Sequence, residues 1–263
     1  MIELPHEIVG ADLGATTPTR TLIWGHGLTT SRRIEDVAPL IDWTSVAAKM
    51  VRYDARGHGE APSTPDVADY GWDSLARDQL SLADSLGIEG YVAAGASMGC
   101  GTAIHAAVLA PTRVQALVLV IPPTAWETRA GQTAQWNLAA DVLEAKGIEP
   151  MIANLAALPV PDPFANDPGH LARRADALRS WDTRRLAQVF RGAAVADLPP
   201  REAISLLTMP TLILAWTGDP THPVSTAREL AALLPHASLE LASTSGDLER
   251  WTKLVADFVR DLS

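Results

Sequence analysis

The pentapeptide Gly-Ala-Ser-Met-Gly at 95–99 restricts the fold of this chain more than any other feature of its sequence. The apolar residues 91–94 before it are typical of a buried strand, and the small and apolar residues 100–110 after it are typical of a buried helix. The two glycines leave room for a tight turn that holds the serine in a strained conformation, with its hydroxyl exposed above the sheet edge. The segment therefore predicts a nucleophile elbow with Ser97 at the turn.

Other short apolar runs alternate with helical patterns along the chain. The runs lie at 21–24, 50–54, 114–121, 211–216 and 238–242, and helices are predicted at 74–86 (with Asp73 as its cap), 225–234 and 248–262. The run at 114–121 is almost continuously apolar, which is typical of a parallel strand covered on both faces. This alternation requires crossover connections, so we predict an α/β fold with a mostly parallel central sheet flanked by helices.

The alternation stops between Pro122 and Pro200, where several helical patterns surround a proline-rich segment at 159–163. We interpret residues 122–200 as a helical cap or lid inserted after the strand at 114–121. Residues 1–121 and 201–263 then form the core domain.

Composition excludes several classes of function. The chain has 263 residues and a net charge of −10, which argues against nucleic acid and anionic membranes as partners. The single cysteine, Cys100, excludes an internal disulfide and falls in the predicted buried helix, where it is a small core residue. We find neither a signal peptide nor an apolar run of about 20 residues that would cross a bilayer. We therefore predict a cytoplasmic protein that acts on a small molecule, and the sequence leaves a homodimer open.

Four segments in order carry a resemblance to a known family. They are His26-Gly27 after the first apolar run, Asp54-x-Arg56-Gly57-His58-Gly59 after the second, the elbow at Ser97, and Gly218-Asp219 after a late run. Together they resemble the α/β-hydrolase family over nearly the whole chain. The resemblance implies a sheet of about eight strands with the reactive groups at its carboxyl edge, and it implies neither a metal nor an organic cofactor.

The resemblance also implies roles for individual residues. The family makes its oxyanion hole from two backbone N–H groups, which here belong to Met98, after the nucleophile, and to Leu28, after His26-Gly27. Asp219 takes the position of the acid that orients the catalytic histidine. We interpret residues 56–59 as a structural turn.

The histidine that the family places in the loop after its final strand is missing. That loop, residues 243–248, contains no histidine, and Asp247 occupies roughly the expected place. A carboxylate with an ordinary pKa of about 4 is poorly matched to removing a serine proton at neutral pH.

Geometry ranks the histidines that the chain does contain. His236 precedes the final strand, about 20 Å from the reactive edge of the sheet, and His105 lies about 12 Å down the elbow helix. The others outside the acid loop are His6 near the terminus, His26 and His58 in the early loops, and His170 in the predicted cap. His222 follows Asp219 by three residues at the carboxyl edge. We predict that it faces the pocket as base or proton donor, held by Asp219 or Asp247; the alternative is a structural histidine bonded to the loop backbone.

Candidate pocket residues are His26, Trp126, Trp136 and Trp181. The tryptophans would line an apolar cavity over Ser97, or would pack the cap onto the core. Residues 171–191 hold six arginines and two aspartates, which would attract an anionic substrate tail or form a solvated helical face.

These observations predict a hydrolase of a small or medium carboxylic ester, lactone or thioester that forms an acyl-enzyme at Ser97. One alternative is a non-hydrolytic lyase on the same fold, in which Ser97 donates a hydrogen bond without attacking. The other is a catalytically impaired ligand-binding protein, which the missing histidine favours.

Overall fold

The strands of the central sheet come from both ends of the sequence. The computed structural model describes residues 2–10 and 20–262. Its strands are β1 (His6–Val9), β2 (Thr21–Gly25), β3 (Lys49–Tyr53), β4 (Tyr91–Ala96), β5 (Val114–Val120), β6 (Thr211–Trp216) and β7 (Ala237–Ala242). Within the described ranges they form one seven-stranded sheet in the order β1-β3-β2-β4-β5-β6-β7. Only β1 runs antiparallel to its neighbour, among the pairs of this sheet.

The prediction of a mostly parallel α/β sheet is confirmed. Every residue of β4 and β6 is buried, as expected for parallel strands covered by helices on both faces. The described ranges hold seven strands, against the expected number of about eight. Strand β1 was not predicted, because its four residues are alternately exposed and half-buried and include His6 and Glu7.

The helices cover both faces of the sheet and fill the connection between β5 and β6. They are α1 (Arg32–Val37), α2 (Trp72–Ser85), α3 (Met98–Leu109), α4 (Arg129–Lys146), α5 (Glu149–Asn154), α6 (His170–Arg179), α7 (Thr183–Val195), α8 (Arg201–Ser205), α9 (Val224–Leu233), α10 (Ser245–Glu249) and α11 (Trp251–Asp261). Short 3₁₀ helices lie at Trp43–Ser45, Val67–Tyr70, Trp126–Thr128, Leu155–Ala157 and Asp162–Phe164.

Two predicted helix boundaries were wrong. Helix α2 begins at Trp72 with Gly71 at its N-cap, so Asp73 lies in the first turn and does not cap the helix. The predicted last helix is two helices, α10 and α11. Thr244 caps α10 by accepting a hydrogen bond from the backbone of Asp247, three residues later, which begins a helix before the predicted start.

Alternate side chains along each strand enter different cores on the two faces of the sheet. Ile23 and Leu117 pack on the side of α3, whereas their neighbours Leu22 and Val118 pack on the side of α11. This alternation follows from the two-residue period of a strand. Because both faces are covered, the carboxyl edge of the sheet is where its parallel strands can present polar groups to a ligand.

Helices α4 to α7 have a hydrophobic cluster of their own. Its fully buried members include Leu143 of α4 and Phe190 of α7, and Trp136 stacks on Phe190 with ring centroids 4.8 Å apart. Hydrogen bonds also tie this segment to core loops, since Trp181 donates to the carbonyl of Thr29 (3.2 Å) and Gln188 donates to that of Thr64. The segment therefore packs against the loops at the carboxyl edge of the sheet.

Nowhere in residues 2–10 and 20–262 does a helix combine the length and hydrophobicity that crossing a membrane requires.

Candidate active site

Ser97 occupies a strained turn between β4 and α3. Its φ is 51° and its ψ is −108°, a conformation that costs a non-glycine residue roughly 1–3 kcal/mol. The flanking glycines allow the turn to pack tightly: a Cβ atom on Gly99 would clash with the carbonyl oxygen of Gly25, and one on Gly95 would clash with the backbone of Gly99. The sharp turn thus holds the serine at the carboxyl end of a central strand, as predicted.

The backbone around Ser97 fixes the start of α3. The N–H of Ser97 donates to the carbonyl of Val120 on β5 (3.0 Å), and its carbonyl accepts from the N–H of Cys100 (2.9 Å). Ser97 is therefore the N-cap residue, and Met98 occupies the first helical position, where an N–H group has no acceptor within its own helix. Such a group is available to an oxygen atom bound in front of the helix.

His222 lies between Ser97 and Asp219. Its Nε2 is 2.8 Å from the Oγ of Ser97, and its Nδ1 is 2.7 Å from the Oδ2 of Asp219. The carboxylate is an acceptor only, so Nδ1 carries the proton and donates, and Nε2 is left to accept the Ser97 hydroxyl. The three side chains form one continuous chain of hydrogen bonds, with Asp219 and not Asp247 as the partner of His222.

Asp219 is held by the strand that precedes it. Its carboxylate accepts hydrogen bonds from the indole of Trp216 (3.0 Å) and the N–H of Thr221 (2.8 Å) as well as from His222. Burial acts to raise the pKa of Asp219, but these hydrogen bonds and the charge of His222 outweigh it and hold the pKa well below its ordinary value. Asp219 is therefore ionised at neutral pH and fixes the orientation of the imidazole.

The loop at His26-Gly27-Leu28 lies against Ser97. A Cβ atom on Gly27 would be 3.9 Å from the Cβ of Ser97. The carbonyl of Gly27 accepts hydrogen bonds from Nδ1 of His26 (2.8 Å) and from the N–H and hydroxyl of Thr30 (3.2 and 3.1 Å). The N–H of Leu28 belongs to the same peptide unit and, in a trans peptide, points away from those donors.

His26 and His58 are buried structural neighbours of this loop, 4.8 Å apart between ring centroids. His26 also accepts a hydrogen bond at Nε2 from the N–H of Ala55 (3.0 Å), and His58 contacts the carbonyl of Leu28 through Nε2 (2.9 Å). Burial lowers the pKa of His26, and burial lowers that of His58 to about 3. Both imidazoles are therefore neutral at pH 7.

A small cleft with a cavity volume of about 20 Å³ opens beside the serine. It is lined by Leu28, Trp72, Ser97, Met98, Pro123, Arg129, Trp136, Ala193 and Thr221. Most of this surface is apolar, and the polar groups are concentrated at Ser97, Thr221 and Arg129. The cleft contains both residues that the resemblance proposed for the oxyanion hole, Leu28 and Met98.

The predicted pocket residues other than Trp136 lie elsewhere in the described part of the chain. Trp126 donates to the carbonyl of Pro199 (3.0 Å) and stacks under Arg201, and Trp181 donates to Thr29 and meets the edge of His58. These two tryptophans join the helical segment to the core, which was the alternative interpretation. His26 is turned into the core by its hydrogen bonds to Gly27 and Ala55.

Sequence reasoning missed five of the nine residues that line the cleft, among them Trp72 and Arg129. Trp72 is the first residue of α2 and Arg129 the first residue of α4, so each reaches the cleft because its helix begins there. No sequence motif marks either position. Four of the six arginines at 171–191 bind acids or backbone carbonyls, namely Arg173, Arg179, Arg185 and Arg191.

Asp247, at the family's usual histidine position, stabilises its own loop. Its carboxylate accepts hydrogen bonds from the N–H groups of Ser243 (3.1 Å) and Thr244 (3.0 Å) and pairs with Arg250 (2.6 Å). Hydrogen bonds from the backbone of Ser243 and from Thr244 lower the pKa of Asp247 to about 2. This carboxylate is therefore an acceptor for the start of α10, with no contact to His222 in the described structure.

Comparison with known proteins agrees with this fold. A family model described as alpha/beta hydrolase fold matches residues 21–146. The enol-lactonase of Burkholderia xenovorans superposes with a TM-score of 0.80 at 25% identity, covering 99% of this chain and 97% of that one. The chain has the α/β-hydrolase fold. The resemblance seen in the sequence is confirmed.

Curated relatives of this chain are hydrolytic enzymes by name. The 3-oxoadipate enol-lactonase 1 of Acinetobacter baylyi is 28% identical over 67% of this chain, and the match spans 64% of that relative, slightly less than two thirds. The N-formylmaleamate deformylase of Pseudomonas putida is 41% identical over 33% of this chain and 34% of its own length. These relatives are thus hydrolases that resemble this chain over part of their length.

Proposed function

We propose that this α/β hydrolase cleaves a small carboxylic ester, lactone or thioester through an acyl-enzyme on Ser97. The observation that carries the proposal is the hydrogen-bond chain from Ser97 Oγ through His222 to Asp219, with lengths of 2.8 and 2.7 Å. A serine nucleophile needs a base within hydrogen-bond reach and a third group that orients the base. The geometry of Ser97, His222 and Asp219 supports these three roles, with the proposed base on an unusual loop.

The proposed reaction has two balanced halves. In acylation, Oγ of Ser97 bonds to the substrate carbonyl carbon as its proton passes to Nε2 of His222. The bond from that carbon to the leaving oxygen or sulfur then breaks, and His222 gives the proton to the leaving group. In deacylation, water gives a proton to His222 and bonds to the acyl carbon, and Ser97 recovers the proton as the acid departs.

The oxyanion formed in both halves would be held by the N–H groups of Leu28 and Met98. The Met98 N–H is at the first helical position of α3, and the Leu28 N–H points away from the three donors that hold the Gly27 carbonyl. Removal of one donor from such a pair typically costs about 3–4 kcal/mol of transition-state stabilisation. His26 and Thr30 act through Gly27, so we assign them a positioning role.

Cleft size and the relatives favour a small substrate. The cavity volume of about 20 Å³ is far below the roughly 300–1,000 Å³ that is common for sites of drug-sized ligands. The relatives named enol-lactonase and deformylase fit the hydrolysis of small acyl compounds. We also propose residues 122–200 as the cap, because this segment supplies Pro123, Arg129, Trp136 and Ala193 to the cleft.

The alternatives of a lyase and of an impaired binding protein depended on the missing histidine. His222 supplies an imidazole 2.8 Å from the serine. The missing histidine therefore no longer favours either alternative. Neither alternative has a separate observation in its favour.

Labelling with a fluorophosphonate probe tests the proposed nucleophile. We expect intact-protein mass to show one adduct on the wild type and none on Ser97→Ala, and we expect a panel of short methyl and thiol esters to be hydrolysed only by the wild type. A wild type that gains no adduct after long exposure and turns over no ester would contradict the proposal.

A further inference from the structure

Arg129 is a buried cation beside the serine. It is the first residue of α4, only 6% of its surface is exposed, and it lines the same cleft as Ser97, Trp72 and Trp136. An arginine is rarely buried to this extent without an acidic partner. The groups around the guanidinium therefore show whether its charge has a partner within the protein.

The guanidinium binds neutral oxygen atoms. Its Nε donates to the carbonyl of Ala196 (2.8 Å), its Nη2 to the carbonyl of Ala193, and its Nη1 to Thr124, at Oγ1 (3.2 Å) and at the carbonyl (3.5 Å). A guanidinium has five N–H groups, so these four contacts leave at least one N–H over. The face of the group stacks on the Trp72 ring, 4.5 Å from the ring centroid.

No carboxylate neutralises this charge within the described residues. Asp197 attracts Arg129 over a distance, but its Oδ1 accepts from the N–H groups of Trp126 (3.0 Å) and Leu198 (2.8 Å) and forms no ion pair with the arginine. Burial lowers the pKa of Arg129 to about 10, so the side chain is still cationic at neutral pH. A buried charge without a counterion is energetically unfavourable. An anion bound in the cleft would supply that counterion.

We propose that Arg129 binds a carboxylate of the substrate, so that the substrate is a short acyl compound carrying a carboxylate besides its scissile ester, lactone or thioester. A carboxylate in the cleft would supply the missing counterion and accept the remaining N–H, and charge-assisted hydrogen bonds of this kind are strong. The apolar walls and the small cleft limit the chain that joins the two groups. This inference rests on the proposed function for the identity of the scissile group.

A matched pair of esters tests the substrate class. Monomethyl succinate and methyl butyrate have acyl chains of equal length, and only the first ends in a carboxylate. We expect the wild type, followed by acid release in a pH-stat, to favour the anionic ester at least tenfold in kcat/KM. In Arg129→Met this ratio should fall at least tenfold, and Arg129→Lys, which keeps the charge, should retain part of it.

The matched control is Arg184→Met. Arg184 is an exposed arginine of α7 outside the cleft lining, so the ratio should stay as in the wild type. A wild-type ratio near one, or an unchanged ratio in Arg129→Met, would show that Arg129 only ties α4 to the end of α7 and would overturn the inference.

Binding to Ser97→Ala separates this inference from the proposed function. Trp72 and Trp136 line the cleft, so tryptophan fluorescence should report binding of monomethyl succinate, and the added Arg129→Met change should weaken that binding at least tenfold. Anion-selective binding without turnover by the wild type would defeat the proposed function and keep the inference. If the wild type hydrolyses both esters equally fast, the inference fails and the proposed function stands. If Arg129→Met does not fold, the wild-type ratio and the selectivity of Ser97→Ala decide the question.

Discussion

His222 and Asp219 lie three residues apart on one loop after β6, with 2.7 Å between Nδ1 and Oδ2. The proposed base and the proposed acid are therefore positioned by the same short segment, which Trp216 anchors to the end of its strand by donating to Asp219. In the usual family arrangement the base comes from the loop after the final strand, and here that position holds Asp247. On this loop the proposed base lies at the same sheet edge as Ser97, because β4, β5 and β6 are parallel neighbours.

Replacement of His222 by alanine should lower kcat by about a thousandfold or more, since the serine loses its base while the oxyanion donors remain. Steady-state hydrolysis of a short ester, with folding checked by circular dichroism, measures this. The matched control is Asp247→Ala, which removes the side chain at the family's usual position and should leave kcat within about threefold. Comparable activity of wild type and His222→Ala would remove this histidine from the mechanism.

His26 should act on catalysis without touching the substrate. Its Nδ1 is one of the donors that fix the Gly27 carbonyl, and through it the direction of the Leu28 N–H. We expect His26→Ala to lower kcat by about 10- to 100-fold with little change in KM, because a misaligned oxyanion donor weakens the transition state more than the ground state. His236→Ala, at an exposed position before β7, is the control. An increase in KM at constant kcat would instead assign His26 to substrate binding.

Much of the fold could be predicted because its parallel strands are buried on both faces. The runs at 114–121 and 211–216 are almost purely apolar, and both match strands to within one residue. Strand β1 escaped prediction because it is an edge strand of four residues whose partner, β3, lies over 40 residues later in the sequence. Pairing of that kind leaves little periodicity in the strand itself.

Only part of the candidate site could be predicted from the sequence. The sheet-edge rule puts Ser97, Asp219 and His222 at one edge, and the structure brings the three side chains together; their catalytic roles stay predictions. The lining of the cleft was not predictable, since Trp72 and Arg129 reach it through the packing of α2 and α4. Packing between distant segments is not encoded in any local pattern of residues.

Gly99→Ala should destabilise the protein by roughly 2–4 kcal/mol. The added methyl group would clash with the carbonyl of Gly25, which is backbone of a central strand and has little freedom to move. Gly131→Ala is the matched control: it is exposed in α4, nothing lies near its added Cβ, and alanine should stabilise the helix by about 0.5–1 kcal/mol. Urea unfolding measures both changes. Equal stability of Gly99→Ala and wild type would mean that the elbow does not need its close approach to β2.

Glu35 should make the stability of the protein depend on pH. This side chain of α1 accepts hydrogen bonds from the Trp24 indole (2.7 Å) and the Thr30 hydroxyl (3.4 Å), and burial raises its pKa from 4.5 to about 7. The folded state therefore binds more protons than the unfolded state between these two values, so the free energy of unfolding falls as pH rises from 4.5 to 7.

Glu35→Gln, which cannot ionise, should be more stable than the wild type by about 1–3 kcal/mol at pH 8 and nearly equal to it at pH 5. Urea unfolding at the two pH values measures the difference, with Glu89→Gln as a control for charge removal at an exposed position. A Glu35→Gln protein that is less stable than wild type by the same amount at both pH values would show that the carboxylate is ionised, and tolerated, in the folded state.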